Sequence, residues 1–122
     1  MSKIRRLKGF MTKLLTSIRD RIHRKLTVVE MINKAIKKKR LLEFDHSGYH
    51  RIVEPHVYAS KNEKDGILAY QLRGESSTGI MEWKRMYLVD ITNMKVLTET
   101  FPGRREVNGL HSGWDVIYRI VT

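Results

Sequence analysis

The stretch Leu41-Leu42-Glu43-Phe44-Asp45-His46-Ser47-Gly48-Tyr49-His50-Arg51-Ile52-Val53 decides how the chain folds. Leu42 and Phe44 alternate with Glu43 and Asp45, a period of two that puts the apolar side chains on one side of a strand. His46-Ser47-Gly48 then breaks the pattern with turn residues. Before residue 41 the apolar residues recur every three or four positions instead, so the chain changes from helix to strand there.

Forward from this point turn signals arrive every ten residues or so, which predicts strands at about 41–46, 49–59, 66–74, 80–89, 94–97 and 114–121. The punctuation is Asn62 to Gly66 with an Asp65-Gly66 hairpin signal, Glu75 to Gly79, Asn93, and Pro102-Gly103. Pro55 falls inside the second strand, which is expected to lie at an edge or bend because proline cannot donate to the ladder. Short twisted strands in this number tend to close and remove their edges. The expected fold is α+β and mainly β: a small barrel of about five to six strands preceded by two N-terminal helices.

Backward from residue 41, Thr27 and Glu30 form a capping-box pair, in which each side chain satisfies a backbone N–H left free at a helix start. A helix is expected from about residue 28, with Val28, Met31, Ile32, Ala35 and Ile36 on one face. It ends in Lys37, Lys38, Lys39 and Arg40, cations that complement a helix C-terminus. Further back, Ile4, Leu7, Met11, Leu14, Leu15, Ile18 and Ile22 mark one face of an earlier helix, interrupted only by Gly9. Lys3, Arg5, Arg6, Lys8, Lys13, Arg19, Arg21 and Arg24 point the other ways. The expected division is a basic amphipathic arm, 1–26, and a β domain with its leading helix, 27–122.

The charge follows that division. The 122 residues carry a net +11, yet residues 1–40 hold fourteen Lys/Arg against Asp20 and Glu30 (+12), and residues 41–122 hold ten against eleven acids (−1). Such a field draws polyanions or anionic surfaces to one end of the molecule. With 41% hydrophobic and 30% charged residues the composition is globular. The chain has no cysteine, which excludes disulfides, thiol nucleophiles and cysteine-based zinc sites. Without an apolar run of about 18 residues or a secretory apolar core, it is expected to stay in the cytoplasm.

The order of features resembles the WYL domain, a bacterial module named for a Trp-Tyr-Leu motif. Ala35-Ile36 closes a helix, Leu42-Glu43-Phe44 supplies an apolar strand, and Arg51-Ile52-Val53-Glu54-Pro55 matches Arg-x-x-x-Pro. Leu68-Ala69-Tyr70 stands at the aromatic signature, and Trp83-Lys84-Arg85-Met86-Tyr87-Leu88 leads to Ile91. The resemblance spans roughly residues 28–101. In the signature only an aromatic and a leucine remain, and Asp90 replaces the usual Arg before Ile91. The resemblance implies an Sm-like or SH3-like barrel that senses a nucleotide or nucleic acid, within transcriptional regulation or defence. It also implies a stand-alone or truncated relative, because too few residues precede the domain for the usual winged helix-turn-helix.

Tyr49, Arg51, Tyr58, Tyr70, Arg73, Trp83, Lys84, Arg85 and Tyr87 interleave cations and rings across three expected strands. Single-stranded nucleic acid is bound in this way, with bases stacked on rings and phosphates neutralised; the competing reading is alternate core and solvated rim. Parity sends Trp83, Arg85 and Tyr87 one way and Lys84, Met86 and Leu88 the other, the latter as core with Lys84 at its end. On the second strand neither face is cleanly apolar. The expected ligand face comprises Tyr49, Arg51, Tyr70, Arg73, Trp83, Lys84, Arg85 and Tyr87.

His46, His50 and His56 with Asp45 and Glu54 lack a diagnostic ligand spacing, so neither a metal nor a cofactor is expected. There is no nucleophile motif or glycine-rich phosphate loop, and the chain is read as non-enzymatic; the competing reading is a small ribonuclease using acid–base chemistry. The expected partner is nucleic acid or a nucleotide. A second copy of the chain and an anionic membrane or partner protein docking on the arm are the alternatives.

Overall fold

The structure, a computed structural model, describes residues 26–106 and 112–122. One α-helix, α1 (Val28–Lys38), leads into six strands. These are β1 (Arg40–His46), β2 (Tyr49–Lys61), β3 (Lys64–Gly74), β4 (Trp83–Tyr87), β5 (Ile91–Thr100) and β6 (Val116–Ile120), with a single 3-10 turn, Leu88–Asp90, between β4 and β5. The capping box forms: Glu30 N–H donates to Thr27 Oγ1 (3.1 Å) and Thr27 N–H to Glu30 Oε1 (2.8 Å). Lys39 ends the helix in the left-handed region, and its N–H returns to the Ala35 and Ile36 carbonyls.

All pairings are antiparallel, in the order β4-β3-β2-β1-β5. The thirteen-residue β2 is the organising strand. It pairs with β3 along one edge, while its other edge takes β1 at residues 49–53 and β6 at 57–60. Pro55 falls in the gap between those two partners. It is therefore in a central strand rather than at an edge, at a place where no ladder on that side needs its N–H.

Two expectations are corrected. The strands do not close into a barrel, Sm-like or otherwise: the sheet is open, with β4 and β5 at its ends, because β6 joins β2 instead of bridging them. The described residues hold one α-helix where two were expected; the stretch read as the first helix lies in residues 1–25, outside the described residues. The hairpin turn after β2 is also not at Asp65-Gly66. Asn62 and Glu63 make it, both with positive φ (52° and 64°), and Ala59 pairs with Gly66 inside the ladder. Gly66 answers a different need, since a Cβ there would lie 3.0 Å from the Met86 carbonyl and 3.1 Å from the Tyr87 ring.

α1 lays Ile32, Ala35 and Ile36 on the sheet, where Leu42, Phe44, Val53, Ile67, Ala69 and Met86 complete the main core. A second, smaller cluster of Val57, Ala59 and Leu68 packs under Trp83, Trp114 and Ile120. These are alternate residues of the same strands, so β2 and β3 are covered on both faces.

Candidate functional site

The β3–β4 register places Tyr70 opposite Trp83, Leu68 opposite Arg85 and Gly66 opposite Tyr87. Trp83, Arg85 and Tyr87 thus share the face above the second cluster, as their spacing requires. Tyr70 and Trp83 meet edge to face with centroids 5.4 Å apart. Met86 points into the main core. Lys84 takes that opposite side too, with its side chain 15% exposed and its ammonium 3.5 Å from Glu82.

The connector between β5 and β6 brings further groups to this face. Arg105 lies over the Tyr70 ring, 4.0 Å from its centroid, and donates from Nε and Nη2 to Glu54 Oε1 and Oε2 (2.6 and 3.2 Å). The Glu54 carboxylate raises the Arg105 guanidinium further above its ordinary pKa. Beneath them His56, fully buried, has Nε2 3.3 Å from Glu54 Oε1 and its ring 4.7 Å from Trp83. The bulge between Pro55 and Val57 explains this position: His56 is the extra residue opposite β3, which re-aims its side chain. Further along, Arg85 lies 5.0 Å from the Trp114 centroid and donates to the Ser112 carbonyl (2.9 Å). Lys64 lies 5.9 Å from the Tyr87 centroid.

The remaining expected ligand residues lie elsewhere. Arg51 is buried on the main-core face and donates from Nη1 to Gln71 Oε1 (2.9 Å), with the exposed Tyr49 ring 5.6 Å from its guanidinium carbon. Arg73 is exposed and held by both oxygens of Glu99 on β5. The structure therefore gathers Tyr70, Trp83, Arg85 and Tyr87 and separates them from Tyr49, Arg51, Arg73 and Lys84. Of the basic arm, Lys3, Arg5, Arg6, Lys8, Lys13, Arg19, Arg21 and Arg24 lie outside the described residues. Lys37 and Lys38 are exposed in the last turn of α1, Lys39 is its cap, and Arg40 donates from Nε to the Leu97 carbonyl (2.6 Å).

The three histidines of interest are also apart. His50 lies between Glu43 (2.9 Å) and Asp45 (3.1 Å), His56 faces Glu54, and His46 is on the Arg51 side. Asp45 is held below the usual carboxylate range, first by the Asn93 amide and then by His50. Among the described residues no three His, Asp or Glu side chains are placed to hold a metal ion, and no helix is long and apolar enough to cross a membrane.

Sequence reasoning singled out neither Glu54 with Arg105 as a pair nor Trp114 or Lys64 as ring-facing groups. Only Trp114 carried a signal, as a ring at the start of the last expected strand. The chain matches no protein-family model, no curated protein and no solved structure.

Proposed function

We propose that this chain is a non-enzymatic binding module that takes a nucleotide or a short single strand of nucleic acid on the β3–β4 face. The observation that carries the reading is the gathering of four rings, Tyr70, Trp83, Tyr87 and Trp114, with three cations, Arg85, Arg105 and Lys64, on one side of the sheet. Rings stack bases and cations neutralise phosphates, and such stacking is tolerant of sequence. The resemblance to the WYL domain supports a regulatory role in a bacterial cytoplasm. Residues 1–25 hold nine Lys/Arg against one acid, so the arm adds phosphate contacts that do not depend on sequence.

Fluorescent single-stranded DNA and RNA, titrated at two salt concentrations, test this. Binding is expected to weaken with salt, and deleting residues 1–25 is expected to flatten the salt slope while leaving ligand preference. Tyr87→Ala removes a stacking ring, worth about 1–3 kcal/mol or roughly 5- to 150-fold in Kd. Absence of binding at low salt, or full affinity in Tyr87→Ala combined with Arg85→Gln, refutes it. A second reading, a protein-interaction module, draws on the exposed row Val116, Ile117 and Tyr118 of β6; a concentration-dependent mass in sedimentation, without oligonucleotide binding, selects it.

A further inference from the structure

We propose that His46, Tyr49, Arg51 and Gln71 form a site for a small oxyanion, a phosphate or carboxylate group, on the opposite side of the sheet from the stacking face. It does not rest on the nucleic-acid reading.

The argument begins with Arg51. The residue is 6% exposed, yet among the described residues no carboxylate pairs with it and its Nε has no hydrogen-bond partner. Its partners are neutral: Gln71 Oε1 at 2.9 Å and the Tyr49 ring. A charge withdrawn from water is costly unless it is paired, and a buried guanidinium finds its usual compensation in an anion.

Gln71 fixes which edge of the guanidinium is left over. Its amide Nε2 donates to the Arg73 and Glu75 carbonyls, both at 3.1 Å, so its oxygen is committed to Arg51 Nη1. Nε–H belongs to the other edge, the side-on fork that receives two oxygens of one carboxylate or phosphate. His46 stands on the same side of β1 as Phe44, which pairs with Arg51, making His46 and Arg51 diagonal neighbours. His46 Nδ1 is likewise buried without a hydrogen-bond partner.

Among the described residues two unsatisfied polar atoms therefore belong to diagonal neighbours on one face of the sheet, one on a permanent cation and one on a ring nitrogen that donates in one tautomer. Burial and the nearby Arg51 charge keep His46 below its ordinary pKa, while Asp90 opposes them. Burial lowers Arg51 as well, with only Tyr49 acting the other way. In both groups burial is the main cause, so each is a donor withdrawn from water, and at His46 the Arg51 charge adds to it. Tyr49, 36% exposed, has its ring 5.6 Å from the guanidinium carbon.

The test uses the full chain and three probes, inorganic phosphate, a nucleoside 5′-monophosphate and acetate, against sodium chloride at matched ionic strength. At least one probe is expected to raise Tm above the chloride control, by about 5 °C at a tenfold excess over Kd, and to move the Arg51 Nε–Hε NMR resonance. A response to phosphate and to the nucleotide assigns a phosphate group; a response to the nucleotide alone assigns the phosphomonoester where it moves the Arg51 resonance and overturns the proposal where it does not; a response to acetate alone assigns a carboxylate. Arg51→Gln is expected to abolish the shift, and His46→Gln to reduce it. Lys95→Gln, outside both sites, is expected to leave it unchanged. Should Arg51→Gln fail to fold, the wild-type resonance and the His46→Gln comparison still decide. No probe exceeding chloride, or an Arg51 resonance unmoved at saturation, overturns the proposal. Oligonucleotide binding that survives Arg51→Gln leaves the stacking-face reading intact whichever way the anion result falls.

Discussion

Replacing Arg105 by alanine tests how the β5–β6 connector is held to the stacking face. The Glu54 side chain is 5% exposed and the Arg105 side chain 42%, so the pair joins an inside charge to a surface one. Removing the partner of a buried charge costs about 3–5 kcal/mol when both are inside. Here water reaches the site once the half-exposed guanidinium is gone, which lowers the loss to about 2 kcal/mol. The lost stack on Tyr70 adds about 0.5–1 kcal/mol. Arg105→Ala is therefore expected to destabilise the chain by about 2–3 kcal/mol, or roughly 10 °C in Tm. Urea unfolding reads this as a fall in midpoint at constant m. Glu54→Gln is expected to cost less, because the guanidinium left behind can be hydrated. In Glu54→Gln/Arg105→Ala the two losses should not add, with a coupling of about 1–2 kcal/mol. An Arg105→Ala midpoint equal to wild type, or a double variant that is simply the sum, would refute a charge-pair origin for the clamp.

Two further outcomes concern the fold. Gly74 has φ +102° and a Cβ there would meet the His50 carbonyl at 2.2 Å, so Gly74→Ala is expected to cost about 3 kcal/mol or more, read in the same urea experiment. His46 has a lowered pKa in the folded state, so the unfolded chain takes up its proton first as pH falls below 6.5. Its contribution is complete above that pH and is lost on acidification; His46→Gln should shrink the stability difference between pH 7.5 and pH 5, and an unchanged difference would discard the assignment.

What the chain order reveals about this fold is mostly local. The capping box at Thr27 and the alternation from Leu42 locate α1 and the first three strands to within a few residues, because both signals are written between neighbours. Pairing across the sheet is not local. Whether β6 meets β2 or an end strand is settled about sixty positions away, and alternating patterns look alike in an open sheet and a closed barrel. The same distinction governs the site. The two-residue spacing of Trp83, Arg85 and Tyr87 fixes their common face, whereas β2 from Val53 onward is buried on both sides and is interrupted by an extra residue at His56. With apolar and polar residues on both sides, the alternation of β2 does not say which face Arg51 or Glu54 takes. Arg105 lies in an irregular connector, and only the folded chain carries it to Glu54.

The cations on the β3–β4 face already lie on rings that a base would use, and the magnitudes decide whether this blocks or prepares a site. An exposed cation–ring contact is worth about 0.5–1 kcal/mol, against about 1–3 kcal/mol for a base stacked on an aromatic side chain. On the proposed reading a base displaces Lys64 from Tyr87 with free energy to spare, leaving the cation beside the incoming phosphate, whereas displacing Arg85 from Trp114 also costs its hydrogen bond to the Ser112 carbonyl. Tyr70 differs, because Glu54 holds Arg105 in place with two charge-assisted bonds. Uncovering that ring also strands a buried carboxylate. On the proposed reading the first contact of a single strand falls on Tyr87, Trp114 follows once Arg85 leaves Ser112, and Tyr70 engages only ligands able to replace Arg105 on Glu54.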